Sequence, residues 1–84
     1  MQHITLPTVH MNGTSRKDLQ EGYSNAALEL ENFIESWGRI EFNARDYYVT
    51  DGAWSRASDE RDAMNAKLRD VREYLQAIQE HIYA

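Results

Sequence analysis

The sequence predicts an all-α protein: an antiparallel helical hairpin with an extended N-terminal arm. Two stretches of the chain carry apolar residues at alternating steps of three and four, and the segment between them shows no such period. This spacing places apolar side chains in a stripe on one side of a helix, as in coiled coils and other helices that pack nearly antiparallel. The two stripes are therefore expected to face each other across the hairpin.

The longer stripe lies in residues 51–83, the second predicted helix, whose start Thr50 or Asp51 can cap; Ser55, with Ser58 and Asp59, is a later possible start. Its positions are Trp54, Ala57, Arg61, Met64, Leu68, Val71, Leu75, Ile78 and Ile82. Arg61 is the single interruption, and a guanidinium among apolar residues needs a partner or a route to water. We expect Arg61 to reach solvent or to pair with a carboxylate of the facing helix; the alternative is a ligand contact or a register-setting position.

The first predicted helix occupies residues 15–38, with helical residues from about 16 to 37. Ser15 and Asp18 form a variant of the capping box at its start, and Gly38 is expected to stop it. Gly22 weakens the helix interior and favours close approach of a neighbour. The stripe of this helix is Leu19, Tyr23, Ala26, Leu30, Phe33 and Trp37, widened by Ala27 and Ile34.

Two segments lack helical periodicity. Residues 1–14 form the predicted arm, because Pro7 cannot donate in a central strand and restrains Leu6 to an extended conformation; Ile4, Leu6 and Val9 are expected to cover part of the stripe. Residues 39–50 form a loop longer than the usual helix–helix connection, and long ordered loops often carry function.

The chain is short for a self-sufficient core. Its 84 residues allow one domain, and it has no Cys to provide a disulfide. A hairpin cannot exclude water from both sides of its seam. The wide face of the first helix, the excess length of the second, and Tyr74 and Tyr83 predict a helical-bundle homo-oligomer, most simply a four-helix dimer.

Composition excludes several classes of function. A formal charge of −5, from 9 Lys plus Arg against 14 Asp plus Glu, argues against a duplex-DNA binder. No apolar run reaches the roughly 18 residues of a membrane span and no signal peptide is recognisable, so a cytoplasmic protein is expected. His3, His10 and His81 are too scattered to predict a metal site, and no catalytic or cofactor motif is present, so we expect a non-enzymatic protein.

The first candidate site is the turn that leads into the first helix. Unpaired N–H groups at a helix start, hydroxyls and two cations can bind an anion. The alternative is an ordinary capped helix, with His10 a surface residue. The candidate residues are His10, Asn12, Gly13, Thr14, Arg16 and Lys17, together with Ser15.

The second candidate site is the loop run Arg45, Asp46, Tyr47 and Tyr48. Arg with Tyr can bind phosphate and stack on a base, which predicts a recognition surface. The alternative is a loop ion pair with a tyrosine folded over the hairpin end. Within one hairpin the two candidate sites are separated by about 30 Å, so a shared site requires an antiparallel dimer.

These two motifs resemble those of a group of short phage and prophage proteins. In that group a Leu-Pro-Thr-x-His-x-Asn-Gly-Thr run precedes one helix and an Arg-Asp-Tyr-Tyr run precedes a longer one; here they are residues 6–14 and 45–48. Many such proteins continue with Pro and Gly, whereas this chain has Val49 and Thr50, which marks the helix start less sharply. The resemblance covers nearly the whole chain and implies a viral origin, and therefore the host cytoplasm, but no reaction.

Small helical phage proteins outside this group include oligomers that sequester cyclic nucleotide signals of host immunity, an analogy of size and architecture only. The leading hypothesis is thus an anti-defence protein that sequesters a small nucleotide at an intersubunit site. The alternatives are an inhibitor that binds a host protein through an acidic or aromatic surface, and a structural assembly helper.

Overall fold

The computed structural model describes residues 3–84 and contains two long helices, α1 (Arg16–Gly38) and α2 (Ala53–Tyr83). A short 3-10 helix, Ala44–Asp46, interrupts the connection between them, and no strand occurs among the described residues. The prediction of an all-α hairpin is confirmed. Within residues 3–84, neither helix combines the length and apolar character needed to cross a membrane.

Hydrogen bonds at both ends of the hairpin show that the helices are antiparallel. At the start of α1, Arg16 Nη1 and Gln20 Nε2 donate to the carbonyl oxygen of Ile82 near the end of α2, at 2.6 and 3.0 Å. Near the end of α1, Trp37 Nε1 donates to Asn65 Oδ1 of α2 at 2.7 Å. These cross-helix bonds fix the register of the two helices.

Both boundaries of α1 lie within one residue of the prediction. Ser15 Oγ accepts a hydrogen bond from the backbone N–H of Asp18 at 3.1 Å, so the predicted N-cap is confirmed. Gly38 is itself helical, and α1 closes through Arg39, which has right-handed φ −86° and ψ −10°. The helix therefore ends at Gly38, as predicted, but it closes through the Arg39 N–H, which donates to the Ser36 carbonyl, and not through a left-handed glycine.

The start of α2 also differs from the prediction. Its N-cap is Gly52, with φ 74° and no side-chain cap, so the predicted caps Thr50 and Asp51 are wrong. The left-handed conformation, which glycine adopts without steric cost, lets the chain turn so that Ala53 N–H reaches the Thr50 carbonyl at 3.1 Å. The helix consequently begins two residues later than residue 51.

The core of the hairpin is small. Among the described residues only Ile78 and Ile82 are fully buried, and both lie near the C-terminus of α2. The stripe residues closer to the middle of α2 are half-buried or exposed, as expected for two helices that pack against each other alone. The molecule measures 60 × 24 × 18 Å.

The N-terminal segment contacts the same end of α2. Residues 3–10 have neither helix nor strand, and the Pro7 carbonyl oxygen lies 2.8 Å from His81 Nε2. Ile4 and Val9 are half-buried, whereas Leu6 is exposed. Of the predicted arm, Met1 and Gln2 lie outside the described residues.

Candidate functional site

Three aromatic rings form the base of the loop end of the hairpin. The Phe42 and Trp54 centroids are 4.8 Å apart, and the Tyr47 centroid lies 5.7 and 5.8 Å from them. The 3-10 helix produces this arrangement, because the Asp46 N–H bonds to the Asn43 carbonyl and the Tyr47 N–H to that of Ala44. Tyr47 is thereby turned back toward α2 and is half-buried.

Arg61 joins this aromatic base to the end of α1. Its guanidinium carbon lies 3.8 Å from the Trp37 ring centroid and 4.9 Å from that of Phe42, within cation–π distance of both. Its Nη2 also donates to the Trp37 carbonyl oxygen at 3.0 Å. The partner of this guanidinium is thus a helix C-terminal carbonyl flanked by aromatic faces, where the sequence suggested a carboxylate.

Outside this base the loop presents apolar side chains to solvent. Tyr48 is 75% exposed, Val49 81% and Ile40 51%. Arg45 belongs to the same loop, and its Nη2 lies 3.4 Å from Glu41 Oε2 in an exposed ion pair. We call these four residues, Ile40, Arg45, Tyr48 and Val49, the loop-end surface.

A shallow pocket lies against Phe42 and Tyr47 of the aromatic base. Its volume is about 220 Å³, and it is open to solvent. It is too small for a drug-sized ligand, whose sites usually occupy at least 300 Å³. The lining residues are Trp37, Phe42, Tyr47, Ala57, Glu60, Arg61 and Met64.

The N-terminal candidate residues are placed at the other end of the hairpin. The His10 ring lies over Gly13, whose N–H bonds to the His10 carbonyl at 3.1 Å; a Cβ on Gly13 would stand 2.8 Å from His10 Nε2. Arg16 Nη1 donates a hydrogen bond to the Ile82 carbonyl oxygen, and Lys17 Nζ lies 4.0 Å from Glu21 Oε1. Asn12 and Thr14 are exposed.

The structure does not bring the two candidate sets together within one chain. The 23 residues of α1 separate them, a length of about 34 Å. Any ligand that touches both sets would have to bind between two copies of the chain.

One cross-helix ion pair was not anticipated from the sequence. Arg72 Nε and Nη2 donate to the two carboxylate oxygens of Glu31 at 2.7 and 2.6 Å, a bidentate geometry. The hydrogen bonds from Arg72 hold the pKa of Glu31 below its ordinary value, and Glu31 in turn raises the pKa of Arg72. The pair lies on the opposite face of the hairpin from Phe33 and Val71. A helical plot of both helices, aligned in the correct register, would have placed Glu31 and Arg72 together.

The part of the chain that the structure describes contains no candidate metal site. Residues 3–84 contain no group of three His, Cys, Asp or Glu side chains positioned to hold a metal ion. Comparison with known protein families, curated proteins and solved structures gave no match.

Proposed function

We propose that this protein is a non-enzymatic binding module that docks onto a partner protein through the loop-end surface. The observation that carries the proposal is the exposure of Tyr48 and Val49 on the fixed base formed by Phe42, Tyr47 and Trp54. Tyrosine and arginine are among the residue types that dominate protein–protein binding energy, and an exposed aliphatic side chain adds apolar area. The ordered base beneath Tyr48 and Val49 lowers the entropy that the loop loses on binding.

The charges near the loop support a protein partner over a phosphorylated ligand. Arg39 Nη1 donates to Glu35 at 2.8 Å, Arg45 to Glu41 at 3.4 Å and Arg61 to the Trp37 carbonyl at 3.0 Å. A phosphate site needs cations that donate to the ligand, whereas these guanidinium groups donate to acceptors of the chain. The net charge of −5 likewise disfavours a negatively charged ligand.

The resemblance of residues 6–14 and 45–48 to phage proteins supports a viral source. We therefore propose that the partner is a protein of a bacterial host and that binding takes place in the host cytoplasm. Inhibition of a host protein by masking its surface requires no catalytic group from this chain. The loop-end surface, made of two aliphatic residues, a tyrosine and an arginine, is compatible with such a role.

Capture from bacterial host lysate with matched variants tests the proposal. The double variant Tyr48→Ala with Val49→Ser removes the apolar part of the loop-end surface. Leu28→Ala is the control, because Leu28 is also exposed, at 59%, but lies on α1 away from the loop. We expect one or a few host proteins to be retained by the wild type and by Leu28→Ala, and to fall at least about tenfold with the double variant, as for loss of binding hot spots.

Equal capture by all three proteins would overturn the proposal. So would stabilisation of the wild type by a cyclic or linear nucleotide that requires Arg45 and His10. That result would favour nucleotide sequestration between two chains, the function predicted from the sequence.

A further inference from the structure

One face of the hairpin leaves a continuous apolar surface uncovered. Phe33 of α1 and Met64 and Val71 of α2 are 49%, 40% and 46% exposed, and they surround a depression of about 190 Å³ walled almost wholly by apolar atoms. Trp37, Lys67 and Leu68 complete its lining. We call the surface made by these six residues the open face.

The open face continues toward the other end of the hairpin. A second depression of about 210 Å³ lies between Leu75 of α2 and the first half of α1. Its α1 residues include Tyr23, Ala26 and Gly22, and a Cβ on Gly22 would meet nothing within 4 Å. The interior glycine is thus not required by packing within the chain, and it leaves room for a close neighbour.

The opposite face of the hairpin also carries a depression, of about 320 Å³, but its lining is more polar. There the bidentate Glu31–Arg72 pair bridges the helices beside Gln76 and Gln79. Among residues 3–84, an exposed Lys67 is the only charged residue that lines the main depression of the open face. The open face is therefore the more apolar of the two, as expected for the face of a helix pair that is buried in a bundle.

The exposed area of the chain exceeds that of a compact monomer. The accessible surface is 6524 Å², whereas a folded monomer of 9.8 kDa is expected to expose about 5,200 Å². The radius of gyration of 18.1 Å likewise exceeds the roughly 12 Å expected for 84 residues. The accessible surface thus exceeds that of a compact monomer by roughly 1,300 Å². This excess is larger than the area of about 800 Å² that each partner of a stable dimer buries.

We propose that a second copy of this chain covers the open face. Leu68, which lines the main depression, is the midpoint of α2, so a two-fold axis there, perpendicular to the helices, overlaps α2 along its full length with its symmetry mate. The result is an antiparallel four-helix bundle that buries Phe33, Met64 and Val71 of both copies. This inference is independent of the loop-end partner, because it concerns a different surface.

The antiparallel arrangement has a consequence for the N-terminal candidate residues. It sets the loop end of one copy beside the arm end of the other. His10 and Arg16 of one chain would then lie at the same end of the dimer as Arg45 and Tyr48 of the second. A site that needs both sets is complete only in the dimer.

Sedimentation equilibrium with matched variants tests the proposal. We expect the wild type to have twice the 9.8 kDa mass of the chain at micromolar concentration. Val71→Asp with Met64→Lys should have the mass of one chain while retaining its helical circular dichroism. Leu28→Asp, on the other face, should remain a dimer. A wild-type monomer at every concentration, or equal loss of dimer in both variants, would overturn the proposal.

A cross-linking measurement gives an answer even if the double variant unfolds. The chain has no Cys, so a single introduced thiol reports one position only. A short bismaleimide should join Leu68→Cys chains at least about five times more than Leu28→Cys chains, since position 68 lies on the proposed axis. Equal or absent cross-linking at position 68 would contradict the two-fold arrangement.

Discussion

At the scale of single residues, Arg61 shows how a charged group is accommodated on an apolar stripe. Its stem follows α2, while its guanidinium stacks on Trp37 at 3.8 Å and donates to the Trp37 carbonyl at 3.0 Å. The positive charge lies at the C-terminus of α1, the negative end of the helix dipole. Arg61 is thus a structural link that supports the loop-end surface without belonging to it.

This assignment predicts a loss of stability from Arg61→Met. Removal of the cation–π contact and of the hydrogen bond should lower the free energy of unfolding by about 1–2 kcal/mol, measured by urea denaturation. Arg39→Met is the control, because the Arg39 side chain forms exposed contacts only with Glu35 and Ser36 of the adjoining helix end and its loss should cost at most about 0.5 kcal/mol. If Arg61→Met and Arg39→Met have the same effect, Arg61 does not link the helix end to the loop.

At the scale of the helices, the sequence predicted what depends on local pattern. The Ser15 cap and the two stripes are local, because they need only residues within a turn or two of each other. Gly52 was not recognised as the start of α2, since the left-handed turn competes with the equally plausible caps Thr50 and Asp51. The Glu31–Arg72 pair, 41 positions apart, depends on the register between helices, which periodicity alone leaves open.

The candidate site was predictable only in part. The sequence singled out Tyr47 and Tyr48 together, but the structure separates their roles. Tyr47 packs against Phe42 and Trp54, whereas Tyr48 is 75% exposed. The 3-10 turn that directs one ring inward and the other outward has no periodic signature.

The cross-helix ion pair predicts a pH-dependent contribution to hairpin stability. The pKa of Glu31 is lowered by Arg72 from its ordinary value of 4.5, so its folded value lies below its unfolded value. The contribution is therefore fully present above pH 4.5 and is lost as the pH falls through the folded pKa. Thermal unfolding in low salt should show wild type melting above Glu31→Gln at pH 7, with the difference vanishing at low pH.

The control for this prediction is Glu35→Gln. Its partner Arg39 lies on the same helix, 2.8 Å away, so the pair does not join α1 to α2. A difference between wild type and Glu31→Gln that is constant from neutral to acidic pH would show that the carboxylate of Glu31 does not stabilise the hairpin through its charge.

At the scale of the whole molecule, the chain separates scaffold from recognition surface. The molecule is 60 Å long, and its helical scaffold has only two fully buried residues, Ile78 and Ile82, among those described. The open face then supplies the area for a second copy, and the loop-end surface lies beyond the end of α1. In this account self-association stabilises the protein, and the loop binds the partner.

The most direct test of this account is photo-cross-linking in host lysate from a single site. Benzoylphenylalanine replaces Tyr48 in one preparation and Leu28, the exposed apolar residue on the other face, in the second. We predict a discrete adduct with a host protein from position 48 and none from position 28. The absence of an adduct at position 48, or the same adducts at both positions, would contradict the proposal that the loop end is the binding surface.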